Sequence, residues 1–238
     1  MENKINKKVP IIILTAASFL LSFGPILKWL FYTIMPSYSY SATGVGEVII
    51  TFLISGVLYL VWGLNIAFLE EKLNKPFGLL ATYAVLAIKL LVDAIFEIIY
   101  IIESFAHRFY GEAWSIIESI SGIINIIVCV LAIIASLALV IFLFVDKEKM
   151  VKTISMIVMA ILIIGVIISF ILGCITSVIF LIKYGNIIGI IGELVWLLSI
   201  LTPIPFYASI MLYFKANKVP SFKKVEETEE VIEVREAE

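Results

Sequence analysis

Six long apolar runs dominate the sequence of 238 residues. They fall near residues 10–34, 47–69, 78–102, 115–145, 154–182 and 187–214. A helix needs about 20 residues to cross a hydrocarbon core that is roughly 30 Å thick, and each run is long enough. A barrel strand would instead show about ten residues of alternating polarity, which these runs lack. The sequence therefore predicts an all-α polytopic membrane bundle of six transmembrane helices.

The composition indicates the same surroundings. Hydrophobic residues make up 62% of the chain and charged residues 15%, whereas an ordinary globular domain carries about 25% charged residues. The formal net charge of -2 offers no basic excess of the kind that nucleic-acid binding requires. We therefore expect the lipid bilayer to surround the protein and nucleic acid not to be a partner.

The basic residues indicate an orientation. Thirteen of the seventeen lysines and arginines lie before the first run, between the second and third, between the fourth and fifth, or after the sixth. Loops rich in Lys and Arg usually face the cytoplasm. The sequence thus predicts a multi-pass protein of the cell membrane with both termini in the cytoplasm. It also predicts a transmembrane domain at 1–214 and a charged cytoplasmic tail at 215–238.

The lysine-containing loops recur at similar intervals, so the six runs would form three consecutive helical hairpins. Short similar sequences accompany this period, namely Asn-Lys-Lys-Val-Pro at 6–10, Asn-Lys-Pro-Phe at 74–77 and Asn-Lys-Val-Pro at 217–220. Three tandem copies of one hairpin would produce this pattern. The even loop spacing of an ordinary six-helix protein would produce much of it too, so both interpretations stay open.

The third run contains three ionisable residues on one helix face. Lys89, Asp93 and Glu97 are spaced by four residues, which stacks them along a helix. A charge at the bilayer centre costs at least about 2.5–3.5 kcal/mol, so these groups should face the bundle interior and have partners. Lys89 can pair with Asp93 within the helix, which leaves Glu97 to find a partner or a proton.

Other runs place polar residues at a similar depth. Glu118 and Asn125 lie on the fourth run, Lys28 on the first and Glu193 on the sixth. Glu118 should lie at the depth of Glu97, where the two carboxyl groups could share a proton. These residues together predict a site for a small solute, an ion or a proton in the outer half of the bilayer.

Two functions are compatible with this site. The first is a small transporter, or a solute- or ion-binding membrane subunit, that uses Asp93, Glu97 and Glu118. The alternative is a non-catalytic membrane scaffold or assembly protein, with a membrane-protein partner, in which the same charges form structural ion pairs. The usual hydrolase, metalloprotease and NTPase motifs do not occur in the sequence, so we expect no enzyme activity, no cofactor and no metal site.

The fifth run carries the clearest packing pattern. Gly165, Ser169, Gly173 and Ser177 follow one another at four-residue intervals. Small residues at this spacing allow a neighbouring helix backbone to approach closely. We expect this face to contact another helix of the same chain.

Overall fold

The structure is a computed structural model that describes residues 2–24, 26–27, 30, 42–66, 75–107, 112–145, 147–184 and 187–216. Apart from short turns, these residues are helical, and no strand occurs among them. The all-α class is therefore confirmed for this part of the chain. The predicted tail at 215–238 lies outside the described residues, except for its first two positions.

The helices follow the predicted apolar runs in order. They are α1 (Glu2–Leu21), α2 (Ala42–Leu64), α3 (Lys75–His107), α4 (Glu112–Phe144), α5 (Glu148–Tyr184), α6 (Ile187–Ile200) and α7 (Pro203–Ala216). The sixth predicted run is divided between α6 and α7. The described segments therefore agree with six helices, of which the last is interrupted.

Four helical stretches are long and apolar enough to cross a membrane. They are Gly46–Leu64, Ser119–Phe144, Glu148–Ile179 and Ile190–Ala216. Lys8–Leu21 is a shorter apolar helix, and α3, with 33 residues, is not among the four. The helices thus support a membrane protein, although fewer of them meet this criterion than the six that the sequence predicts.

The outward faces of the helices are strongly apolar. Isoleucine and leucine side chains remain exposed along α1, α2, α4 and α5, including Ile182 at 81%, Leu20 at 68% and Ile134 at 60%. Soluble monomers rarely expose contiguous apolar surface larger than a few hundred Å². This surface is typical of a protein that is surrounded by lipid.

The helices pack in a closed ring that follows chain order. Each helix from α1 to α5 contacts the next, α5 contacts both α6 and α7, and α7 contacts α1. Two hydrogen bonds cross the ring, from Trp62 Nε1 to Ser209 Oγ and from the Tyr83 hydroxyl to Ser155 Oγ, each at 2.8 Å. Trp62, Tyr83 and Phe206 are among the largest buried side chains, so aromatic residues fill much of the ring's interior.

The last span is interrupted between α6 and α7 because proline has no N–H group. Pro203 cannot donate to the carbonyl of Ser199 four residues earlier. The Thr202 N–H donates to this carbonyl instead, at 3.2 Å. A second bond of the same type joins the Ile204 N–H to the Leu201 carbonyl at 3.1 Å. The backbone therefore changes direction while its polar groups keep partners.

The first helix is interrupted for a related reason. α1 ends at Leu21 and a turn follows at Ser22 and Phe23. The residue four positions after Leu21 is Pro25, which has no N–H to donate to the Leu21 carbonyl. The Thr202 hydroxyl donates to this carbonyl at 3.3 Å. The two interruptions are thus in direct contact.

Candidate functional site

A small cavity of about 80 Å³, whose exposed wall is mainly apolar, lies where the two interrupted helices meet. It is lined by Ser22, Thr51, Phe52, Ser55, Tyr59, Lys89, Ser199, Thr202 and Pro203. Most of these side chains carry a hydroxyl group, and among the described lining residues Lys89 is the one with a formal charge. A water molecule needs about 10–15 Å³ of such volume. The cavity therefore has room for several waters, or for a small ion together with water.

The cavity lies at the middle of the spans that form it. Ser55 is the middle residue of Gly46–Leu64, and Pro203 is the middle residue of Ile190–Ala216. Transporters commonly place substrate and ion sites at this depth, between interrupted helices whose ends face the ligand. The first residue of α7, Pro203, lines the cavity, so the positive end of this helix dipole is close to it.

Lys89 joins the cavity to the charged face of α3. Its ammonium group forms an ion pair with the Asp93 carboxylate one helical turn later. The Lys89 side chain is 8% exposed and that of Asp93 25% exposed. Tyr59 of α2 and Tyr207 of α7 lie within electrostatic range of Lys89. The spacing of four residues predicts this ion pair, whereas its position beside a cavity comes from the structure.

A second polar contact joins three helices. Asn125 Nδ2 of α4 donates to Glu97 Oε1 of α3 at 2.8 Å, and Ser169 Oγ of α5 donates to Asn125 Oδ1 at 2.6 Å. Ser169 Oγ also lies 3.0 Å from the Gly165 carbonyl. The Asn125 amide thus donates to the carboxyl group and the Ser169 hydroxyl donates to Asn125, so one chain of hydrogen bonds links α5, α4 and α3.

Gly122 of α4 allows the side chain of Glu97 on α3 to lie close to the α4 backbone. A Cβ atom added at Gly122 would lie 3.1 Å from Glu97 Oε2 and 2.8 Å from Ile101 Cδ1. The distance of 2.8 Å is too short for two carbon atoms, so the Ile101 side chain would have to move. Gly122 therefore brings α3 and α4 together at the level of Glu97, a role that the sequence reasoning did not assign.

The two centres are adjacent. Glu97 is two helical turns from Lys89, about 12 Å along α3, in the direction that the topology predicts to be outward. Cys129 of α4 lies within electrostatic range of Lys89, Asp93 and Glu97. The charged face of α3 therefore connects the cavity at mid-depth with the Glu97 contact nearer the predicted outer surface.

Glu193 lies elsewhere in the bundle. It is buried on α6 and accepts a hydrogen bond from Ser177 Oγ of α5 at 2.6 Å. Neither residue lines the cavity or takes part in the bonds around Glu97 described above. The predicted site thus divides into a cavity, a Glu97 contact and a separate Glu193 contact.

The small residues of α5 contact two different helices. A Cβ atom at Gly165 would lie 2.9 Å from Val128 of α4. One at Gly173 would lie 3.0 Å from Ile200 and 3.2 Å from Trp196, both on α6. The helical face that the spacing defines is therefore shared between α4 and α6.

Two predicted site residues cannot be placed. Lys28 lies outside the described residues. Glu118 is in α4, but its side chain is not among those described. A proton shared between Glu97 and Glu118 stays a prediction.

Sequence reasoning missed the hydroxyl residues of the cavity. Thr51, Ser55 and Tyr59 follow one another at four-residue intervals on α2, the same spacing as the charged face of α3. This regularity, together with the prolines at 25 and 203, is a signal that could have indicated hydroxyl groups around a cavity between the interrupted helices.

No protein-family model, curated protein or solved structure matches this chain. The fold and the site alone therefore define the class: a helical bundle in which four helices of the described segments are able to cross a membrane, with a small cavity between helices.

Proposed function

We propose that the protein is a small transporter, or a solute- or ion-binding subunit of a membrane transport system. In this proposal all six helical segments span the cell membrane, both termini are cytoplasmic, and the protein performs no chemistry on its ligand. The observation that carries it is the cavity beside the Lys89–Asp93 ion pair, at the contact between two interrupted helices.

Energetics support a binding role for this cavity. Replacing a buried ion pair by apolar residues of similar volume is often neutral or stabilising, so stability alone does not require Lys89 and Asp93. A bundle that needed only to pack would also gain by filling the space beside them. An ion pair together with an adjacent hydroxyl-lined space is better explained by a ligand that enters there.

The Glu97 contact supplies a second element of the proposal. With Glu97 ionised, Ser169 donates to Asn125 and Asn125 donates to the carboxylate. A protonated Glu97 would still accept from Asn125 at Oε1, but the bond would no longer be made to a charged group and would be weaker. Proton binding at Glu97 would therefore change a contact that joins α3, α4 and α5, which is how a proton could be coupled to helix movement.

The alternative of a membrane scaffold also has an observation in its favour. The buried ionisable side chains that the structure describes in the bundle have partners within it: Lys89 pairs with Asp93, Glu97 with Asn125, and Glu193 with Ser177. Such contacts would also fix the register of the helices. The two functions differ in whether water reaches the cavity.

Cysteine labelling separates the two functions. Cys129 and Cys174 would first be replaced by alanine, and Ser55→Cys would then be introduced into the cavity wall. In membrane vesicles of each orientation, a small impermeant thiosulfonate reagent should label this cysteine. A transporter predicts labelling from both faces, because its site opens alternately to each side. A binding subunit predicts labelling from one face, and a scaffold with a dry interior predicts none.

Ser136 provides the matched control. It is a serine on α4 with 1% exposure and does not line the cavity. Ser136→Cys should therefore resist the same reagent. Equal protection of both cysteines would contradict the proposed function, and equal labelling would show that the protein had lost its fold.

A further inference from the structure

We propose that the cavity binds a small monovalent anion and that the Lys89 ammonium group is its charged ligand. This inference deepens the proposed function and rests on it, because it names the class of solute that the site would take.

The charges on the cavity wall carry the first step. Of the residues that the structure describes, Lys89 is the charged one that lines the cavity, whereas its partner Asp93 does not line it. An ammonium group has three donor hydrogens, and the single oxygen of Asp93 that contacts Lys89 occupies one of them. The others remain for a ligand. A cation in the cavity would meet this ammonium in surroundings that screen charge poorly.

The hydroxyl groups of α2 carry the second step. Tyr59 and Ser55 lie one helical turn apart on α2 and both line the cavity. Each hydroxyl carries a hydrogen that it can donate. Thr51 adds a further hydroxyl one turn away on the same wall. The side of the cavity formed by α2 and α3 therefore offers donors, which is what an anion needs.

The opposite wall presents oxygen lone pairs instead. The hydroxyl groups of Ser22, Ser199 and Thr202 donate to the carbonyls of Phe19, Trp196 and Leu21, at 2.6, 2.7 and 3.3 Å. Their oxygens are left to accept. An anion beside Lys89 could therefore keep a water molecule that donates to this wall, and a volume of about 80 Å³ accommodates both.

Asp93 gives the proposal a prediction with a definite sign. An anion at Lys89 shares the ammonium with the Asp93 carboxylate and is repelled by its charge. Asp93→Asn removes the repulsion and keeps an acceptor for Lys89, so it should tighten anion binding by about tenfold. A site that bound a cation, or in which Asp93 served only to hold the fold, would not respond in this direction.

Isothermal titration of the purified full-length chain in detergent tests the site. The protein is equilibrated in sodium gluconate at constant ionic strength and titrated with sodium chloride or, in a second arm, sodium formate. We expect saturable binding of at least one of these anions, unchanged when choline replaces sodium. Lys89→Met should weaken it by about tenfold or more, and Ser55→Ala by roughly threefold to tenfold. Ser136→Ala, which removes a buried hydroxyl away from the cavity, should leave the affinity unchanged.

Several results would overturn the anion site. One is that neither anion binds, as expected for a cavity that holds water only. The others are that binding requires sodium, or that the Asp93→Asn variant binds the anion no more tightly than the wild type. Ser55→Ala, which leaves the Lys89–Asp93 pair intact, keeps the test decisive if Lys89→Met or Asp93→Asn does not fold.

The labelling experiment distinguishes this inference from the proposed function. Labelling of Ser55→Cys from both faces without anion binding would refute the anion and leave transport standing. Anion binding with labelling from one face only would support a binding subunit rather than a transporter.

Discussion

Replacing Glu97 by glutamine tests whether this carboxyl group serves function or structure. Asn125 Nδ2 donates to Glu97 Oε1 at 2.8 Å, and the carbonyl oxygen of glutamine can accept the same bond. A hydrogen bond to a charged group contributes about 1.5–3 kcal/mol and a neutral one about 0.5–1.5 kcal/mol. The exchange should therefore cost no more than about 1.5 kcal/mol. Removal of a partly buried charge from a poorly screened site offsets part of this cost.

Asn125→Leu is the matched perturbation at the other end of the bond. It keeps the approximate volume of the side chain but removes the donor to Glu97 and the acceptor of Ser169. The loss of a bond to a charged group should cost about 1.5–3 kcal/mol. In the double variant, where position 97 is uncharged, Asn125→Leu should cost less, because these residues are in direct contact and their effects are not additive.

Thermal unfolding in detergent between pH 5 and pH 8 measures both variants. For a chain of this length, 1 kcal/mol corresponds to about 2–4 °C in melting temperature. We expect Glu97→Gln to melt within about 6 °C of the wild type and to lose any ligand- or pH-dependent change that the wild type shows. A large loss at every pH would mean that Glu97 balances a buried cation, for which about 3–5 kcal/mol is expected. That result would refute its assignment to a proton or ligand site.

Two further predictions concern packing and orientation. Gly173→Leu should lower the melting temperature by several degrees, because even a Cβ atom at this position would lie 3.0 Å from a side chain of α6. Gly56→Leu is the control and should lower it less, because the nearest atom is 3.9 Å from a Cβ there. Equal melting temperatures of the two variants would place the Gly173 face toward lipid. Cysteines introduced at Ser39 and Phe109 should react with an impermeant thiol reagent on intact cells, and a cysteine introduced at Lys149 should not. Labelling of the cysteine at position 149 would show that the orientation is the opposite of the predicted one.

The sequence predicted those features that depend on one helix at a time. Apolar length is enough to locate the helical segments, since the hydrophobic requirement of a bilayer is a local property of the chain. The Lys89–Asp93 pair follows in the same way from a spacing of four residues. The interruptions of α1 and of the last span also depend on single residues, because the missing N–H is a property of proline itself.

Contacts between helices could not be predicted in this way. The spacing of Ser169 shows that it shares a face with Gly165, but not whether that face contacts α4 or α6. In the structure Ser169 bonds to Asn125 of α4, whereas Ser177, on the same face, bonds to Glu193 of α6. The rotation of each helix about its axis decides such contacts, and it depends on the packing of the whole ring.

The cavity was missed for a different reason. Serine and threonine in membrane helices often donate to the carbonyl of their own preceding turn, as Thr15 donates to the Ile11 carbonyl at 2.8 Å and Thr82 to the Gly78 carbonyl at 2.8 Å. A hydroxyl residue in an apolar run therefore does not by itself indicate a polar space. Only the position of Ser55 at the same cavity as Lys89, which the fold creates, distinguishes it from such residues.

The strengths of the contacts on the two sides of the cavity indicate where a transport movement would occur. On one side, Glu97, Asn125 and Ser169 join α3, α4 and α5 through bonds of 2.8 and 2.6 Å, one of them to a charged group. On the other side, the polar contacts between the described parts of the interrupted helices are a bond of 3.3 Å from Thr202 to the Leu21 carbonyl and one of 3.4 Å from Thr15 to the Ser209 hydroxyl, lengths at which a hydrogen bond is weak. Breaking them costs less than separating α3 from α4, and water entering the cavity could replace the bond to Leu21. We therefore infer that, if the cavity opens to admit a ligand, the end of α1 moves relative to the α6–α7 junction while the α3–α5 side stays fixed.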